Sequence, residues 1–394
     1  MITKFDSLFA GHIDLENVGY GGVPVNDRRF SNSQLVTAFD KMEAIAQTMD
    51  SSGYDTFWVA EHHFQPEGYE CIPNVVMAAL HLAHKTKNIH LGCGFNVVPM
   101  WHPLRLAEDF ATVDYLTGGR VKFGVGRGYH SREVESFGAP LFDQEANRSL
   151  FEEQVEIIFK SFDSESFSHK GNFYNIPPNI PYRGYDLEEI TLVPRPVNPV
   201  ECWQPIQSGS RRALDFMAKY GIKGIIGGGS ADGGAMDNIM IAYKEANERA
   251  GRQLELGENL SIGIHVYLAD SREQGIKEAA HLFEENLKIF APLRLVRALS
   301  EEQIEIMADP QKAPNADLPR IEGAVNGGGF LTGPPELIIE QIQELEAHYP
   351  GLDRINVAQP VGTPQKIITE QLKWFSEGVM PAFTSRSKAQ MPAE

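Results

Sequence analysis

Glu61-His62-His63 sets a carboxylate and two imidazoles in succession near the close of residues 54–64, YDTFWVAEHHF. Histidine is the side chain whose proton moves near neutral pH, so the triplet suits proton donation and removal. Ahead of it, Phe57, Trp58 and Val59 form a short, bulky, β-favouring apolar run. A buried strand that opens into three titratable groups has left the core for a cavity or for solvent. In a barrel of parallel strands, the carboxyl end is where chemistry sits. Successive residues of an extended segment point to opposite faces, so one histidine faces the interior and the other the helical layer or a partner. The plainer alternative is one hydrogen-bonded structural histidine and one surface histidine. Adjacent histidines on an unbroken strand make poor co-ligands, and no HxH or HExxH spacing occurs, so no metal is expected.

Three further stretches carry candidate binding groups. Gly92-Cys93-Gly94-Phe95-Asn96 holds two glycines that allow close approach of a flat ligand, an unusual backbone, or a plain β-bulge. Asn96 offers both a donor and an acceptor to the edge of a heterocycle. Gly124-Val125-Gly126-Arg127-Gly128-Tyr129 imitates a dinucleotide fingerprint but has Tyr129 where the last glycine belongs. Backbone freedom plus one arginine suits a phosphate, and Arg148 can add a second charge. In Gln207-Ser208-Gly209-Ser210-Arg211-Arg212, small residues lead into a helix start whose free N–H groups favour an anion. Ser210 is equally explained as a plain N-cap. With Arg127, it suggests a phosphate held between two loops. Gly227-Gly228-Gly229 lacks the lysine of a P-loop and reads as a tight turn. No GxSxG occurs, and no Ser/His/Asp triad follows from spacing.

These stretches fall at regular points of an alternating pattern. Strands are expected at 2–10, from Tyr54, and at 89–95, 121–125, 204–207, 222–226, 260–268 and 353–358. Helices are expected between them: 32–53 capped by Asn32, 74–86 after Pro73, 104–119, 145–162, 211–221, 237–250, 271–290 capped by Ser271, and 334–349. A last helix covers 364–379. No hairpin signal interrupts the first four strands, so they are parallel and joined by helical crossovers. Eight strand–helix units predict a single-domain (β/α)8 TIM barrel over 1–394 with insertions. The insertions are a Pro/Asn-rich loop at about 163–200 and a proline- and glycine-rich excursion at 291–332. The second is read as a lid over the barrel mouth.

A length of 394 residues and 42% hydrophobic content suit such a barrel, and the net charge of −18 argues against nucleic acid and anionic membranes. Cys71, Cys93 and Cys202 are scattered without a CxxC pair, so no disulfide framework is expected. The first residues lack a signal-peptide pattern, and no apolar run is long enough to span a bilayer, which points to the cytoplasm.

With these motifs set out, YDTFWVAEHHF followed by GCGFNVVPMWHPLRLAEDFATVDYLTGGRVKFGVGRGYHSREVESFG resembles the bacterial-luciferase-like flavin monooxygenases, the luciferase α subunit in particular. The likeness is strong over about 54–160 and weaker from SGSRRALDFMAKYGI onward. It implies a barrel that binds reduced FMN at the carboxyl ends of its strands. The family forms a C4a-hydroperoxide with O2 and oxygenates an organic substrate, with FMNH2 supplied by a separate NAD(P)H:flavin reductase. His62 matches the catalytic histidine, His63 a neighbouring one, and Glu61 completes the cluster. Gly94-Phe95 matches a non-prolyl cis peptide against the flavin ring. Arg127, Arg148 and Ser210 match phosphate contacts, and Asn96, Tyr129, Gly209 and Arg211 are read as cofactor-binding with them. Phe64, Met100 and Trp101 suit a hydrophobic substrate such as an aldehyde, ketone or terpenoid. Gly126 stands where luciferase has its reactive cysteine, which weakens any inference to light emission. The resemblance implies a homodimer through helices near strands two and three. The competing readings are a deazaflavin-dependent oxidoreductase, a barrel metallohydrolase and a flavin-binding protein without turnover.

Overall fold

The strands close into a barrel in the computed structural model of the chain, which describes residues 1–227, 234–296 and 299–384. They are β1 (Lys4–Phe9), β2 (Thr56–Val59), β3 (His90–Cys93), β4 (Val121–Gly126), β5 (Cys202–Ile206), β6 (Lys223–Ile226), β7 (Leu260–Leu268) and β8 (Arg354–Ala358). Neighbours in sequence are neighbours in space; β4 pairs β5, β8 returns to β1, and every pairing is parallel. The crossovers are α1 (Thr37–Ser51), α2 (Val75–Lys85), α3 (Pro103–Thr117), α4 (Gln144–Asp163), α5 (Arg211–Tyr220), α6 (Gly234–Arg249), α7 (Arg272–Phe290) and α8 (Pro335–His348), with α9 (Gln365–Gly378) last. The (β/α)8 barrel read from the alternation is therefore the fold.

Side-chain alternation explains the layers. Phe5, Phe57, Leu91, Phe123, Ile262 and Ile355 face the helices and join one large core. The opposite parity lines the barrel. At its amino end the lining is a paired charge network, as burial of charge requires. Arg354 Nη1 meets Asp6 Oδ2 at 2.8 Å and Asp55 Oδ2 at 3.1 Å, and Lys122 Nζ meets Asp55 Oδ2 at 3.0 Å. Trp58 Nε1 donates to Asp6, and Trp203 stands edge-on to Trp58 at 5.7 Å. At the carboxyl end the lining of β1 is open. Leu8, on the lining parity of β1, is 37% exposed while the adjacent Phe9 is 3% exposed.

Gly92 is spent on this lining. A Cβ there would lie 2.1 Å from the Trp58 ring, so the glycine makes room for a side chain and neither for a ligand nor for a bulge. At Gly124 a Cβ would lie 1.7 Å from the Cys93 carbonyl oxygen, so β3 and β4 approach only without it.

The insertions are more ordered than expected. Residues 163–200 form two small antiparallel hairpins, His169–Lys170 with Asn175–Ile176 and Ile180–Tyr182 with Tyr185–Leu187. Phe167 and Ile176 anchor them on Ile157 of α4. Within 291–332 lie helices Glu301–Met307 and Ile321–Asn326 and a strand, Phe330–Gly333, which pairs in parallel with the carboxyl half of β7. This excursion buries Tyr20 of the β1–α1 loop against Leu287, Met307 and Leu318, and Tyr20 Oη donates to the Pro319 carbonyl at 2.8 Å. A separate short helix, Asn32–Leu35, leads into α1; Ser31 rather than Asn32 precedes its first turn, and Gln34 Oε1 accepts from the Ser31 backbone N–H at 3.0 Å. Gly228 and Gly229 of the expected turn lie outside the described residues. Among the described residues no helix is long and apolar enough to cross a membrane.

Candidate active site

Beyond β2 the chain carries Glu61, His62 and His63 out of the barrel wall, and the alternation holds. His62 turns one way, and Glu61 and His63 meet on the other, with His63 Nε2 3.1 Å from Glu61 Oε1. Glu61 is 1% exposed and fully engaged: Oε1 accepts from Trp101 Nε1 at 2.9 Å and Oε2 from Val97 N at 2.9 Å. It fixes the β3–α3 loop, which also holds Met100, packed against Val97 and Val134.

His62 is the centre of a second, buried network. Its Nδ1 lies 3.3 Å from Glu133 Oε2, and its Nε2 lies 3.0 Å from Tyr129 Oη and 3.2 Å from Glu70 Oε1. Tyr129 Oη donates to Glu70 Oε1 at 2.8 Å, and His130 Nε2 lies 2.8 Å from Glu70 Oε2. Glu133 Oε1 accepts from His63 N and Gln65 Nε2. Gly128 makes this convergence possible. At φ +81° it turns the chain out of β4, and a Cβ there would meet Val134 at 2.5 Å. The short helix Ser131–Val134 then delivers Glu133 beneath His62.

Burial by itself would push the His62 imidazole toward neutrality, but Glu70, Glu133 and Glu61 outweigh it and lift its pKa to about 9. The ring is therefore a cation at neutral pH. Both nitrogens then donate, Nδ1 to Glu133 and Nε2 to the Tyr129 oxygen. Burial and the nearby Glu70 hold the Tyr129 phenol well above its ordinary value, so it stays protonated. Burial disfavours the Glu70 and Glu133 carboxylates, yet His62 holds both below the usual carboxylate range.

Beyond the ends of β4 and β5, positive charge collects around the starts of α4 and α5. Arg127 reaches only neutral amides, Asn147 Oδ1 at 3.2 Å and Gln144 Oε1 at 3.4 Å. Burial, then the neighbouring Arg148, push its pKa down. Arg148 has no hydrogen-bond or ion-pair partner among the described residues. Ser210 starts α5 without a side-chain capping bond, and Gly209 beside it is exposed. Arg211 turns outward to Asp215 at 3.4 Å. Its neighbour Arg212 reaches Glu145 at 2.6 Å and Glu152 at 2.7 Å on α4.

Between these two ends, the Gly94–Phe95 peptide is cis, as the resemblance implies. Asn96 is fully buried; its Nδ2 donates to the Gly124 carbonyl at 2.8 Å, and its Oδ1 has no hydrogen-bond partner among the described residues. Phe64 is 53% exposed and stacks on Phe137 at 5.5 Å. Sequence reading missed Glu70, His130 and Glu133, whose only signal was a carboxylate or imidazole near a glycine-rich turn. It also missed His265, on the lining parity of β7, whose pKa burial pushes down to about 4.

The family described as luciferase-like monooxygenase matches residues 20–354. The chain belongs to that family. Among relatives of this luciferase-like monooxygenase, the oxygenase component of the flavin-dependent trigonelline monooxygenase of Acinetobacter baylyi is 26% identical over 88% of this chain and 90% of its own. Limonene 1,2-monooxygenase of Rhodococcus erythropolis is 23% identical over 86% of this chain and 80% of its own, while three further curated matches are local, covering 33–39% of this chain and 35–40% of theirs. Two solved structures share the fold. The oxygenating constituent of 3,6-diketocamphane monooxygenase from Pseudomonas putida, in complex with FMN, has a TM-score of 0.71 at 20% identity, covering 97% of this chain and 98% of its own. A deazaflavin-dependent secondary alcohol dehydrogenase has a TM-score of 0.63 at 14% identity, covering 96% and 98%.

Proposed function

We propose that this chain is the oxygenase component of a two-component system. It takes reduced FMN from a separate NAD(P)H:flavin reductase and uses O2 to oxygenate a small hydrophobic substrate such as an aldehyde, ketone or terpenoid. The observation that carries the reading is a buried imidazolium, His62, beyond the carboxyl end of β2, with Arg127 beyond the end of β4 and Arg148 on α4 left without a carboxylate ion pair among the described residues.

The residues fit FMN on two counts. Leu8 is 37% exposed on the lining parity of β1, and at Gly126 a Cβ would meet Phe95 only at 3.3 Å, so this stretch of wall carries no side chain. Arg127 and Arg148 make no hydrogen bond or ion pair to a carboxylate among the described residues, and α5 starts at Ser210 without a side-chain cap. Arg127, Arg148, Ser210 and the Gly209 backbone would hold the phosphate, each charge-assisted contact contributing about 1.5–3 kcal/mol. The Gly94-Phe95 segment would border the ring. Bound reduced FMN would supply the electrons that activate O2.

His62 then does the proton work. As an imidazolium it donates from Nε2 to the Tyr129 hydroxyl, through which the proton would reach oxygen at the reacting centre, and it is reprotonated from solvent. Glu133 holds the ring by Nδ1 so that Nε2 stays aimed. Glu61 and His63 support this rim from the far side. Phe64, Met100 and Trp101 give an apolar approach that excludes water and orients a hydrophobic substrate.

The relative named an oxygenase component supports a separate reductase. A homodimer through the faces of α1 and α2 is part of the proposal, supported by Phe39 at 41% and Met77 at 69% exposure on these neighbouring helices. The likeness to a deazaflavin-dependent dehydrogenase favours a second reading, hydride transfer without oxygen on the same barrel. Anaerobic loading with FMNH2 followed by oxygen, beside parallel titration with a deazaflavin, separates the two. Oxygen-dependent product with FMNH2 supports the oxygenase. Tight deazaflavin binding with oxygen-independent turnover overturns it.

A further inference from the structure

The network around His62 has one feature that proton transfer does not use. His130 Nε2 is buried, its side chain 9% exposed, and stands 2.8 Å from Glu70 Oε2, yet it lacks a hydrogen bond of acceptable geometry. A buried polar atom left in that condition calls for a partner. His62 Nε2 stands 3.2 Å from the other Glu70 oxygen. The ligand-capable atoms of His62, Glu70 and His130 all lie within 4.8 Å of one another, and all three residues are buried.

We propose that His62, Glu70 and His130 form a site for one divalent transition-metal ion, Zn2+ foremost, and that its occupation withdraws His62 from proton transfer. Two imidazoles and a carboxylate are a common zinc donor set. With bonds of about 2.0–2.1 Å, two donors on a tetrahedral ion stand about 3.3 Å apart; the two contacts to Glu70, 3.2 and 2.8 Å, already match, and the remaining spacing, within 4.8 Å, closes by a shift of about 1.5 Å at most. The outer shell is also in place: Glu133 accepts from His62 Nδ1, and Tyr129 donates to Glu70, which is how metal-bound histidines and carboxylates are held.

An entry path exists. A cleft of about 150 Å³ between the 65–70 loop and the 291–332 excursion is lined by Glu70 and His130 together with Arg132, Ile289, Leu293 and Met307. An ion entering there reaches Glu70 and His130 first and takes the Nε2 electron pair of His62, releasing its proton to solvent. No motif announces the set, because its members stand at 62, 70 and 130 on three separate segments.

Metal binding stands on geometry alone; the loss of proton transfer rests on the oxygenase reading. The test uses the full chain, stripped with a chelator and free of flavin. Zn2+ is titrated by calorimetry and by competition with a chromophoric chelator, and Co2+ by visible absorption, on wild type, His130→Asn and Glu70→Gln. One ion per wild-type chain, with affinity at least tenfold weaker in both variants, is the expected result. Absent binding, or equal affinity in all three proteins, overturns the site. Should a variant fail to fold, the wild-type Co2+ spectrum and the imidazole NMR resonances of His62 and His130 decide instead. Shifts of both on one equivalent of Zn2+ are expected, and unmoved resonances overturn the proposal. One equivalent of Zn2+ should also stop product formation; continued turnover with bound metal overturns the inhibitory half. If the metal-free protein makes no product from any substrate, the oxygenase reading fails while the binding result stands.

Discussion

Replacing Glu133 by glutamine removes one charge from the His62 network and keeps its shape. The new amide oxygen can still accept from His63 N, now 2.9 Å from Glu133 Oε1, and from Gln65 Nε2, now at 3.1 Å. What disappears is the charge-assisted contact to His62 Nδ1 at 3.3 Å. Such a contact is worth about 1.5–3 kcal/mol, and 1.36 kcal/mol moves a titration midpoint by one pH unit. The His62 midpoint should therefore fall from about 9 to about 7–8. The assay is an NMR titration of the His62 ring in full-length protein carrying ¹³C-labelled histidine. A wild-type ring that is neutral at pH 7, or a variant midpoint within about 0.3 of wild type, refutes the argument. The same shift has a stability consequence. His62 titrates higher in the folded than in the unfolded chain, so its contribution is full below about pH 6.5 and is lost as pH rises through about 9. At about 3 kcal/mol in wild type and about 1–2 kcal/mol in Glu133→Gln, it should make the variant lose less stability between pH 6.5 and 9 in urea titrations.

His62→Ala should keep flavin affinity while product formed from supplied FMNH2 falls at least a hundredfold; a yield near wild type would remove His62 from the chemistry. Arg127→Ala should weaken FMN by about 10–100-fold and riboflavin far less, measured by fluorescence quenching, and equal losses would count against a phosphate contact. Gly124→Ala should cost about 3 kcal/mol or more in urea unfolding, because its Cβ strikes backbone at 1.7 Å, whereas Gly126→Ala meets Phe95 only at 3.3 Å and should fold. Met77→Glu should convert a dimer to a monomer by light scattering, and an unchanged mass would place the interface elsewhere.

Much of the frame was legible along the chain. Periodicity gave all eight barrel strands within two or three residues, because each pairs a helix-facing apolar parity with a short glycine- or proline-bounded run. The hairpins of 163–200 were not legible. Their strands are two or three residues long and interrupted by prolines, and they depend on Phe167 and Ile176 reaching α4. Phe330–Gly333 was also missed, since its pairing with β7 lies far away in sequence. At the site, His62, Arg127 and Ser210 could be named from strand ends and helix starts. Arg211 and Arg212 could not be told apart, because a helix start does not reveal which guanidinium finds a carboxylate.

The sequence by itself determined a barrel of alternating strands and helices with an imidazole at one strand end and arginine-bearing, glycine-rich turns at others. Local propensity and side-chain alternation act over a few residues and need no knowledge of the rest. Only the tertiary structure decided which histidine is the cation, because that depends on Glu70 and Glu133 closing on His62 from segments 8 and 71 residues away. Electrostatic energies follow distance in space, and distance in space is set by barrel closure and by the turn at Gly128.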